Sequence, residues 1–341
     1  MSQAAESCIL TEAFAGLQAQ ALGLAEAAGL QPEVRVLAPR APWKWLASSI
    51  WPAPLAAVPD AVRAPLPGLV IGCGGMAAAV GAALRCDERS VVQVQHPRMA
   101  PRRFDLIVVN RHDELTGPNV VVTRTALHRA TPARLAEAAE QWRERFAHLK
   151  RPLVAVLVGG SNGRFRLDAE VGAKLAGQLA AMMRRDGVGV AVTPSRRTDP
   201  AVTRALAEAL EPLGGYVWDA TGENPYFGML ASADAIVVTM DSVSMISEAV
   251  ATAAPVLLAP LPGRSRRNRL FTEALLAEGR VREFAGRLET WPVAPLDDTP
   301  EAAAEMRRRQ CAVQGTGASA GGRVDRTSLH ASDAIRPGRA V

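Results

Sequence analysis

The chain has 341 residues, of which 48% are hydrophobic, 4% are aromatic and 21% are charged, and its formal net charge is +5. This length is sufficient for two domains with separate cores, and the absence of any apolar run near 18 residues argues against a membrane span. The positive charge is concentrated at 264–269 and 307–309, which favours a phosphate-bearing ligand or an anionic membrane surface over nucleic acid.

The cysteine pattern and the N-terminus predict the compartment. Cys8, Cys73, Cys86 and Cys311 are widely spaced, so neither a zinc site nor a disulfide framework is expected. The N-terminus has no basic segment followed by a long apolar one, as a signal peptide would have. We therefore expect a cytoplasmic protein, with peripheral attachment to the inner face of the membrane as a variant of this expectation.

Short apolar runs alternate with helical patterns along the first half of the chain. Helices are predicted at 17–29, after Gly72–Gly75 and at 131–149, where Thr131 is the N-cap and Pro132 the first helical residue. The predicted strands are Cys8–Leu10, Val34–Leu37, Leu69–Ile71, Val91–Val94, Leu106–Val109 and Val120–Val122.

The alternation restarts near Lys150. Strands alternating with helices predict parallel sheets covered by helices on both faces, and the restart predicts two such units. The predicted strands are Val154–Val158, Gly187–Val192, Val217–Trp218, Ile236–Val238 and Val256–Leu258, and the helices are 168–185, 200–211, 226–232, 268–279 and 299–310.

These elements divide the chain into four segments. An N-terminal Rossmann-like domain at 1–149 is expected to hold an acceptor, and a C-terminal Rossmann-like domain at 150–298 is expected to hold a nucleotide-sugar. A C-terminal helix at 299–311 follows. The remainder, 312–341, is rich in Gly, Ser and Ala without periodicity and is predicted to be disordered.

Polar loops follow the strands of the second half, where ligands of an open parallel sheet bind. The segment GGSNGR at 159–164 could bring backbone amides to an anion, or could be a plain tight turn. SRRT at 195–198 has two guanidinium groups suited to phosphate, or is a solvated loop in which Asp199 caps the next helix. The basic segment 264–268 could close over a charged ligand, or could simply be solvated.

The loop TMDSVSMISEA at 239–249 is the most polar of these. We predict that Ser244 caps a helix that begins at Met245. Glu248 is then four residues after the N-cap, whereas a capping box needs a spacing of three, so helix capping does not explain why a glutamate is at this position. Its carboxylate could accept both hydroxyls of a ribose, whereas Asp241 is expected to brace the loop through backbone amides.

The sequence SVSMISEAVATAAPVLL, residues 242–258, resembles the ribose-binding segment of GT-B glycosyltransferases. Among these enzymes, it resembles notably the one that adds N-acetylglucosamine to lipid-linked muramyl pentapeptide. The resemblance implies that Glu248 contacts the ribose of a nucleotide.

A closer resemblance is to the mitochondrial fission, or elongated-mitochondria, family. It rests on ENPYFGMLASADAIVVTMDSVSMISEA, FDLIVVNRHDELTGPNVVVT, TPSRRT and GRVREFAGRLETWPVAPLDDT, and it covers roughly 9–310. It implies an α/β fold of GT-B type, in which two Rossmann-like domains with parallel sheets face a cleft, but it assigns no reaction. Three segments of the N-terminal half depart from the family pattern: Ala13 and Ala19 replace Gly and Asn, IGCGGMAAAV replaces a Gly-Arg-Arg run, and His96 replaces a common Asp.

Inverting GT-B enzymes often use a His or Asp near the cleft as general base. His96, His112 and Asp113 follow strands of the N-terminal half and are the candidates here, with loop anchoring as the alternative role. No DxD motif is present, so no metal and no cofactor is predicted. The predicted ligand-binding residues are Ser161, Asn162, Arg164, Ser195, Arg197, Asn224, Thr239, Asp241, Ser242, Ser244, Met245, Ser247, Glu248, Arg264 and Asn268.

The resulting hypothesis is a metal-independent glycosyltransferase that binds a UDP- or GDP-linked sugar and transfers a hexosyl or N-acetylhexosaminyl group. Its acceptor could be lipid-linked. The alternative is a non-catalytic scaffold at a membrane surface that retains the GT-B shell, with the apolar segment around Trp43, Trp45 and Trp51 touching lipid or a partner. An epimerase with a GxGxxG loop and a Tyr-x-x-x-Lys pair is disfavoured, because neither Tyr216 nor Tyr226 has Lys at that spacing.

Overall fold

The computed structural model of the protein describes residues 7–319. Its first half forms a six-stranded parallel sheet with the strand order β2-β1-β3-β4-β5-β6. The strands are β1 Ser7–Thr11, β2 Glu33–Val36, β3 Leu69–Cys73, β4 Ser90–Val94, β5 Leu106–Asn110 and β6 Val120–Thr123, and the helices are α1 Ala15–Ala27, α2 Pro54–Ala57 and α3 Gly75–Leu84.

The second half forms another six-stranded parallel sheet, with the order β12-β11-β10-β7-β8-β9. Its strands are β7 Leu153–Val158, β8 Gly189–Pro194, β9 Tyr216–Val217, β10 Ala235–Thr239, β11 Val256–Ala259 and β12 Val281–Glu283. The helices are α4 Pro132–Phe146, α5 Ala169–Asp186, α6 Pro200–Leu210, α7 Tyr226–Ser232, α8 Val243–Val250, α9 Arg266–Ala277 and α10 Thr299–Ser319.

The central strands are continuous apolar runs because helices cover both faces of each sheet. Every residue of β7 and of β10 is buried, and alternate side chains of β7 belong to two different hydrophobic clusters, one on each face. This is the pattern expected of parallel sheets. The predicted α/β architecture with two Rossmann-like units is confirmed.

The strand order reverses once in each sheet. The chain passes from β1 outward to β2 and then returns to place β3 on the other side of β1. In the second sheet it runs from β7 out to β9 and returns to place β10 on the other side of β7. Crevices outside the carboxyl ends of the strands at such reversals are where doubly wound sheets bind ligands. The loops after β1, β3, β7 and β10 are therefore the places to look for a site.

The chain crosses between the two domains twice. Helix α4 precedes the predicted boundary at 149, yet its Trp142 and Phe146 pack in the core of the second sheet, where Trp142 contacts Gly228 of α7. Helix α10 returns to the first sheet, where Ala302 and Met306 are fully buried. The helix predicted to end at 311 continues to Ser319, and the rest of the predicted disordered tail, 320–341, lies outside the described residues.

Several local details differ from the sequence prediction. Helix α8 begins at Val243 with Ser242 as its N-cap, two residues earlier than predicted, because the Ser242 hydroxyl accepts a hydrogen bond from the Met245 amide. Strand β12 has only three residues and was not predicted. Among the described residues, no helix is both long and apolar enough to cross a membrane.

Candidate functional site

Three loops meet at very close range at the carboxyl edge of the second sheet, those that follow β7, β8 and β10. A Cβ atom placed on Gly159 would lie 2.2 Å from the carboxylate oxygens of Asp241, and one placed on Gly160 would lie 2.1 Å from the carbonyl oxygen of Arg197. Glycine is required here because any side chain would collide with these atoms. The first two glycines of the GGSNGR segment are thus explained by packing of the loops.

Asp241 joins these loops through a buried carboxylate. It accepts hydrogen bonds from the Gly160 amide at 3.2 Å, from the Thr239 hydroxyl at 2.7 Å and from the Arg197 guanidinium at 2.9 Å. The Arg197 guanidinium also donates to the Gly160 carbonyl at 3.0 Å. The expectation that Asp241 braces its loop is therefore met. Its side chain is 0% exposed and bound to these three groups, and its predicted contact with a ligand stays a prediction.

The loop after β8 anchors itself to the same place. The Ser195 and Thr198 hydroxyls lie 3.1 Å apart, and Thr198 donates to the carbonyl of Gly159 at 2.5 Å. The Ser195 hydroxyl also accepts the amide of Arg197 at 3.2 Å. Asp199 caps α6 by accepting from the Ala201 amide. For Ser195 the structure therefore supports the capping and anchoring alternative.

The glycine-rich loop after β7 pairs with the basic loop that precedes α9. The Arg264 amide donates to the Arg164 carbonyl at 3.0 Å, and Asn268 donates to the carbonyls of Met240 and Asp241 at 3.1 and 3.2 Å. Ser161 and Asn162 use their side-chain oxygens within their own loop, as acceptors for the amides of Leu167, Arg164 and Phe165. An open pocket remains, lined by Asn162, Gly163, Arg164, Phe165 and Asn268.

Positive charge faces solvent beside this pocket. The side chains of Arg164 and Arg264 are exposed, and neither forms an ion pair within residues 7–319. Unpaired guanidinium groups next to a helix N-terminus are suited to phosphate oxygens. Among the predicted ligand-binding residues, these two are the exposed cations without an ion-pair partner in the described chain.

Helix α8 carries the remaining predicted residues on different faces. Ser244 and Met245 are partly exposed in its first turn, whereas Ser247 is fully buried. The Ser247 hydroxyl donates to the Val243 carbonyl at 2.8 Å and accepts from the Ala126 amide at 2.9 Å. This hydroxyl ties α8 to the segment that connects the two domains, and the predicted contact of Ser247 with a ligand stays a prediction.

Glu248 has a partner that the sequence analysis missed. The Tyr226 hydroxyl donates to Glu248 Oε2 at 2.5 Å, and Asn224 fixes the turn before Tyr226 by accepting its amide hydrogen at 3.0 Å. Burial raises the pKa of Glu248, against the lowering effect of the Tyr226 hydrogen bond. Glu248 Oε1 has no hydrogen-bond partner among the residues that the structure describes. The only available sequence signal was that Tyr226 is one of two tyrosines in the chain.

The first turn of α8 faces the first turn of α1 across the domain boundary. A Cβ atom on Gly16 would lie 3.1 Å from the Ser244 hydroxyl oxygen. The carboxyl edges of the two sheets therefore meet at a narrow cleft, as the GT-B expectation implies. Within the described range, 7–319, no three His, Cys, Asp or Glu side chains are grouped so as to hold a metal ion.

The predicted bases His112 and Asp113 join the two domains. His112 Nε2 accepts a hydrogen bond from Arg267 Nε at 2.7 Å, and the Arg267 guanidinium lies 3.2 Å from the Asp113 carboxylate. Burial, and after it the Arg267 charge, lower the pKa of His112 to about 4, against the raising effect of Asp113. The Nε2 lone pair thus accepts the Arg267 hydrogen bond in this structure. For this pair, loop anchoring is the role that the structure shows.

His96 lies in a tight turn after β4. Its Nδ1 accepts a hydrogen bond from the Arg98 amide at 2.9 Å, and Arg98 has a positive φ of 55°. The ring is partly exposed. The structure places His96 at a carboxyl edge as predicted, with Nδ1 used by the turn.

Comparison with known proteins identifies the family. The family model described as "Mitochondrial fission ELM1" matches residues 15–310. The chain belongs to the mitochondrial fission ELM1 family. The mitochondrial fission protein ELM1 of Arabidopsis thaliana is 34% identical over 276 residues, which cover 72% of this chain. The match spans only 64% of the length of the plant protein.

Solved structures place this ELM1-family chain among GT-B folds. The UDP-GlcNAc 2-epimerase of Methanocaldococcus jannaschii superposes with a TM-score of 0.54 at 11% identity, covering 89% of this chain and 99% of its own. The glycosyltransferase SnogD of Streptomyces nogalater superposes with a TM-score of 0.53 at 18% identity, covering 94% and 100%. At these identities the likeness establishes the fold alone. The GT-B-like architecture is confirmed, and it is one that transferases and epimerases share.

We expect the Arg197–Asp241 pair to be energetically coupled. Replacing Arg197 with Ala leaves a buried carboxylate without its counter-charge, whereas replacing Asp241 as well removes that charge. The double variant Arg197→Ala/Asp241→Asn should therefore be less destabilised than the sum of the single variants, by about 0.5–3 kcal/mol. The free energies of unfolding in urea measure this coupling.

The exposed pair Arg166–Asp168 is the control, with an expected coupling of about 0–1 kcal/mol. If the changes in unfolding free energy of the two single variants simply add, Arg197 and Asp241 do not stabilise the loops as a pair.

We also expect His112 to make stability depend on pH. In the unfolded chain this group titrates near 6.5, whereas its pKa in the folded protein is about 4. Below pH 6.5 the unfolded state takes up a proton that the native state refuses, so the stabilisation is present above pH 6.5 and is lost as pH falls toward 4.

Urea unfolding at pH 7 and pH 5 tests this dependence. Between these values wild type should lose about 2 kcal/mol more than His112→Gln, which can still accept a hydrogen bond from Arg267. His148→Gln is the matched control because His148 is exposed, and it should keep the wild-type dependence. Equal losses in wild type and His112→Gln would show that His112 is not held neutral by the fold.

Proposed function

We propose that the chain binds the nucleotide of a UDP- or GDP-linked sugar at the carboxyl edge of the second sheet and transfers the sugar without a metal ion. The observation that carries this proposal is the arrangement at the β7–β10 reversal. Glycines there let three loops pack together, and α8 begins at this point. Arg164 and Arg264 lie beside it without ion-pair partners in the described chain.

The diphosphate would lie against the first turn of α8. The backbone amides of Val243 and Ser244 donate no hydrogen bond to any residue between 7 and 319, and the Ser244 hydroxyl faces the cleft. Free amides at a helix N-terminus carry partial positive charge and favour phosphate. Arg164 and Arg264 would neutralise the rest of the charge, which otherwise makes a diphosphate costly to desolvate.

The ribose would lie against Glu248. A carboxylate that accepts from Tyr226 through Oε2 keeps Oε1 free for a sugar hydroxyl. Tyr226 also fixes the orientation of the carboxylate, so that less conformational freedom is lost when a ligand binds. This placement agrees with the ribose-binding role that the segment's resemblance implies for Glu248.

We expect calorimetric titration with UDP and GDP to detect binding to wild type at millimolar concentration or below. Glu248→Gln should weaken the affinity about 10-fold, since one hydrogen bond to a charged group is lost, at about 1.5 kcal/mol. Glu273→Gln, on the exposed face of α9, is the matched control and should bind as wild type does. A wild type that binds neither nucleotide would end the proposal.

The same titration with UDP-linked sugars, followed by product analysis, separates transfer from epimerisation. Released UDP indicates transfer, whereas a new UDP-sugar without UDP release indicates epimerisation. The second outcome matters because one of the structural neighbours is named as a 2-epimerase.

A second candidate is peripheral membrane contact, which would suit either a scaffold or a lipid-linked acceptor. Trp45 and Ile50 are 72% and 64% exposed in the two single 3₁₀ turns Trp43–Trp45 and Ser48–Ile50 of the N-terminal domain. The Lys44 ammonium lies 5.1 Å from the centre of the Trp45 ring. Exposed Trp and Ile beside a cation suit the interface of an anionic bilayer.

Flotation with vesicles that contain phosphatidylserine tests this contact. We expect Trp45→Ser/Ile50→Ser to lower the bound fraction at least several-fold, because these side chains supply the apolar area that would insert. Val122→Ser removes an exposed apolar side chain elsewhere on the same domain and should leave the bound fraction unchanged. Equal binding of all three proteins would exclude this surface as the membrane contact.

A further inference from the structure

The first sheet has its own strand reversal, and one carboxylate lies there. Glu12 directly follows β1, and Gly74 directly follows β3, the two strands between which the order reverses. A Cβ atom on Gly74 would lie 3.0 Å from Glu12 Oε1. The Glu12 carboxylate therefore occupies the crevice where a doubly wound sheet binds its ligand.

This crevice opens toward the proposed nucleotide site. The loop that carries Glu12 continues into α1, whose Gly16 lies against Ser244 in the first turn of α8. Glu12 therefore lies close to where the two domains meet.

Glu12 has fewer hydrogen-bond and ion-pair partners than Asp241 and Asp113. It accepts one long hydrogen bond, from the Met76 amide at 3.4 Å, and forms no ion pair within the described part of the chain. Asp241 is fully buried and bound to Arg197, and Asp113 is bound to Arg267. Glu12 is partly exposed, so its second oxygen can reach a substrate.

We propose that Glu12 is the general base of the reaction, a proposal that rests on the nucleotide-sugar function above. The acceptor is a hydroxyl compound, or water, bound at the β1–β3 crevice. The Glu12 carboxylate takes the hydroxyl proton while the hydroxyl oxygen forms a bond to the anomeric carbon of the donor sugar. The bond from that carbon to the diphosphate oxygen breaks, and its electron pair leaves with the nucleotide.

This role differs from that of a helix cap, which is the other task that the geometry suggests. Glu12 lies at the N-terminus of α3, whose N-cap residue Gly74 has no side chain to supply a cap. A glutamine at position 12 keeps the Oε1 acceptor for the Met76 amide but cannot take a proton. Glu12→Gln therefore separates the two roles.

The experiment measures UDP release from UDP-N-acetylglucosamine and from UDP-glucose, with water as acceptor, alongside UDP affinity by calorimetry. We expect Glu12→Gln to lower the UDP-release rate about 10²- to 10⁴-fold, the usual contribution of a general base, while UDP affinity and thermal stability stay at wild-type values. Glu88→Gln is the matched control, since Glu88 is exposed before β4 at the opposite edge of the same sheet.

The outcomes distinguish this proposal from the function on which it rests. If Glu12→Gln releases UDP at the wild-type rate and only Glu12→Ala releases it slowly, Glu12 acts as a helix cap. That result would overturn its assignment as general base. A large loss in His96→Gln with none in Glu12→Gln would overturn it in favour of His96. If wild type binds UDP but releases no UDP from either UDP-sugar, the assignment of Glu12 as general base is overturned, while the proposed nucleotide site stands. A wild type that does not bind UDP would remove the proposed function itself.

Discussion

The buried carboxylate of Asp241 holds together the edge of the sheet on which the candidate site depends. It satisfies the Gly160 amide, the Thr239 hydroxyl and the Arg197 guanidinium at once, in a space that admits no side chain at Gly159. A charge is tolerated at such a position only when it is paired and hydrogen-bonded. Because the hydrogen bonds of Asp241 fix these loops, they also fix the first turn of α8, so that its backbone amides face the cleft.

Hydrogen bonds and ion pairs also link the candidate site to the segments that connect the two domains. Ser247, one turn further along α8, accepts from the Ala126 amide in the first crossing segment. Next to it, the Arg124 guanidinium binds Asp298 of the second crossing, with an Nε–Oδ1 distance of 3.1 Å. On the far side, Arg267 binds His112 and Asp113. A ligand that moves α8 would therefore act on contacts that set how the two domains meet.

Fold alone leaves the chemistry undecided, because GT-B shells serve both a named transferase and a named epimerase among the structural neighbours. The decision lies with side chains at the two strand reversals. The second sheet presents exposed guanidinium groups and the first turn of α8 at its reversal, whereas the first presents a carboxylate without a cationic partner in the described chain. That division suits a donor on one side of the cleft and an acceptor on the other.

Sequence alone determined the two parallel sheets, the caps at Thr131 and Asp199 and the family, because these follow from local patterns and motifs along the chain. It also assigned different roles to Glu248 and Asp241, of which the structure bears out the bracing role of Asp241. Only the tertiary structure decided that Ser247 is buried, that His112 is occupied by Arg267 and that Tyr226 holds Glu248. The last two partnerships join residues 155 and 22 positions apart, and no spacing rule encodes such pairs. Glu12 shows the same limit: its place after β1 was visible in the sequence, but its place at the strand reversal followed only once β3 was seen beside β1.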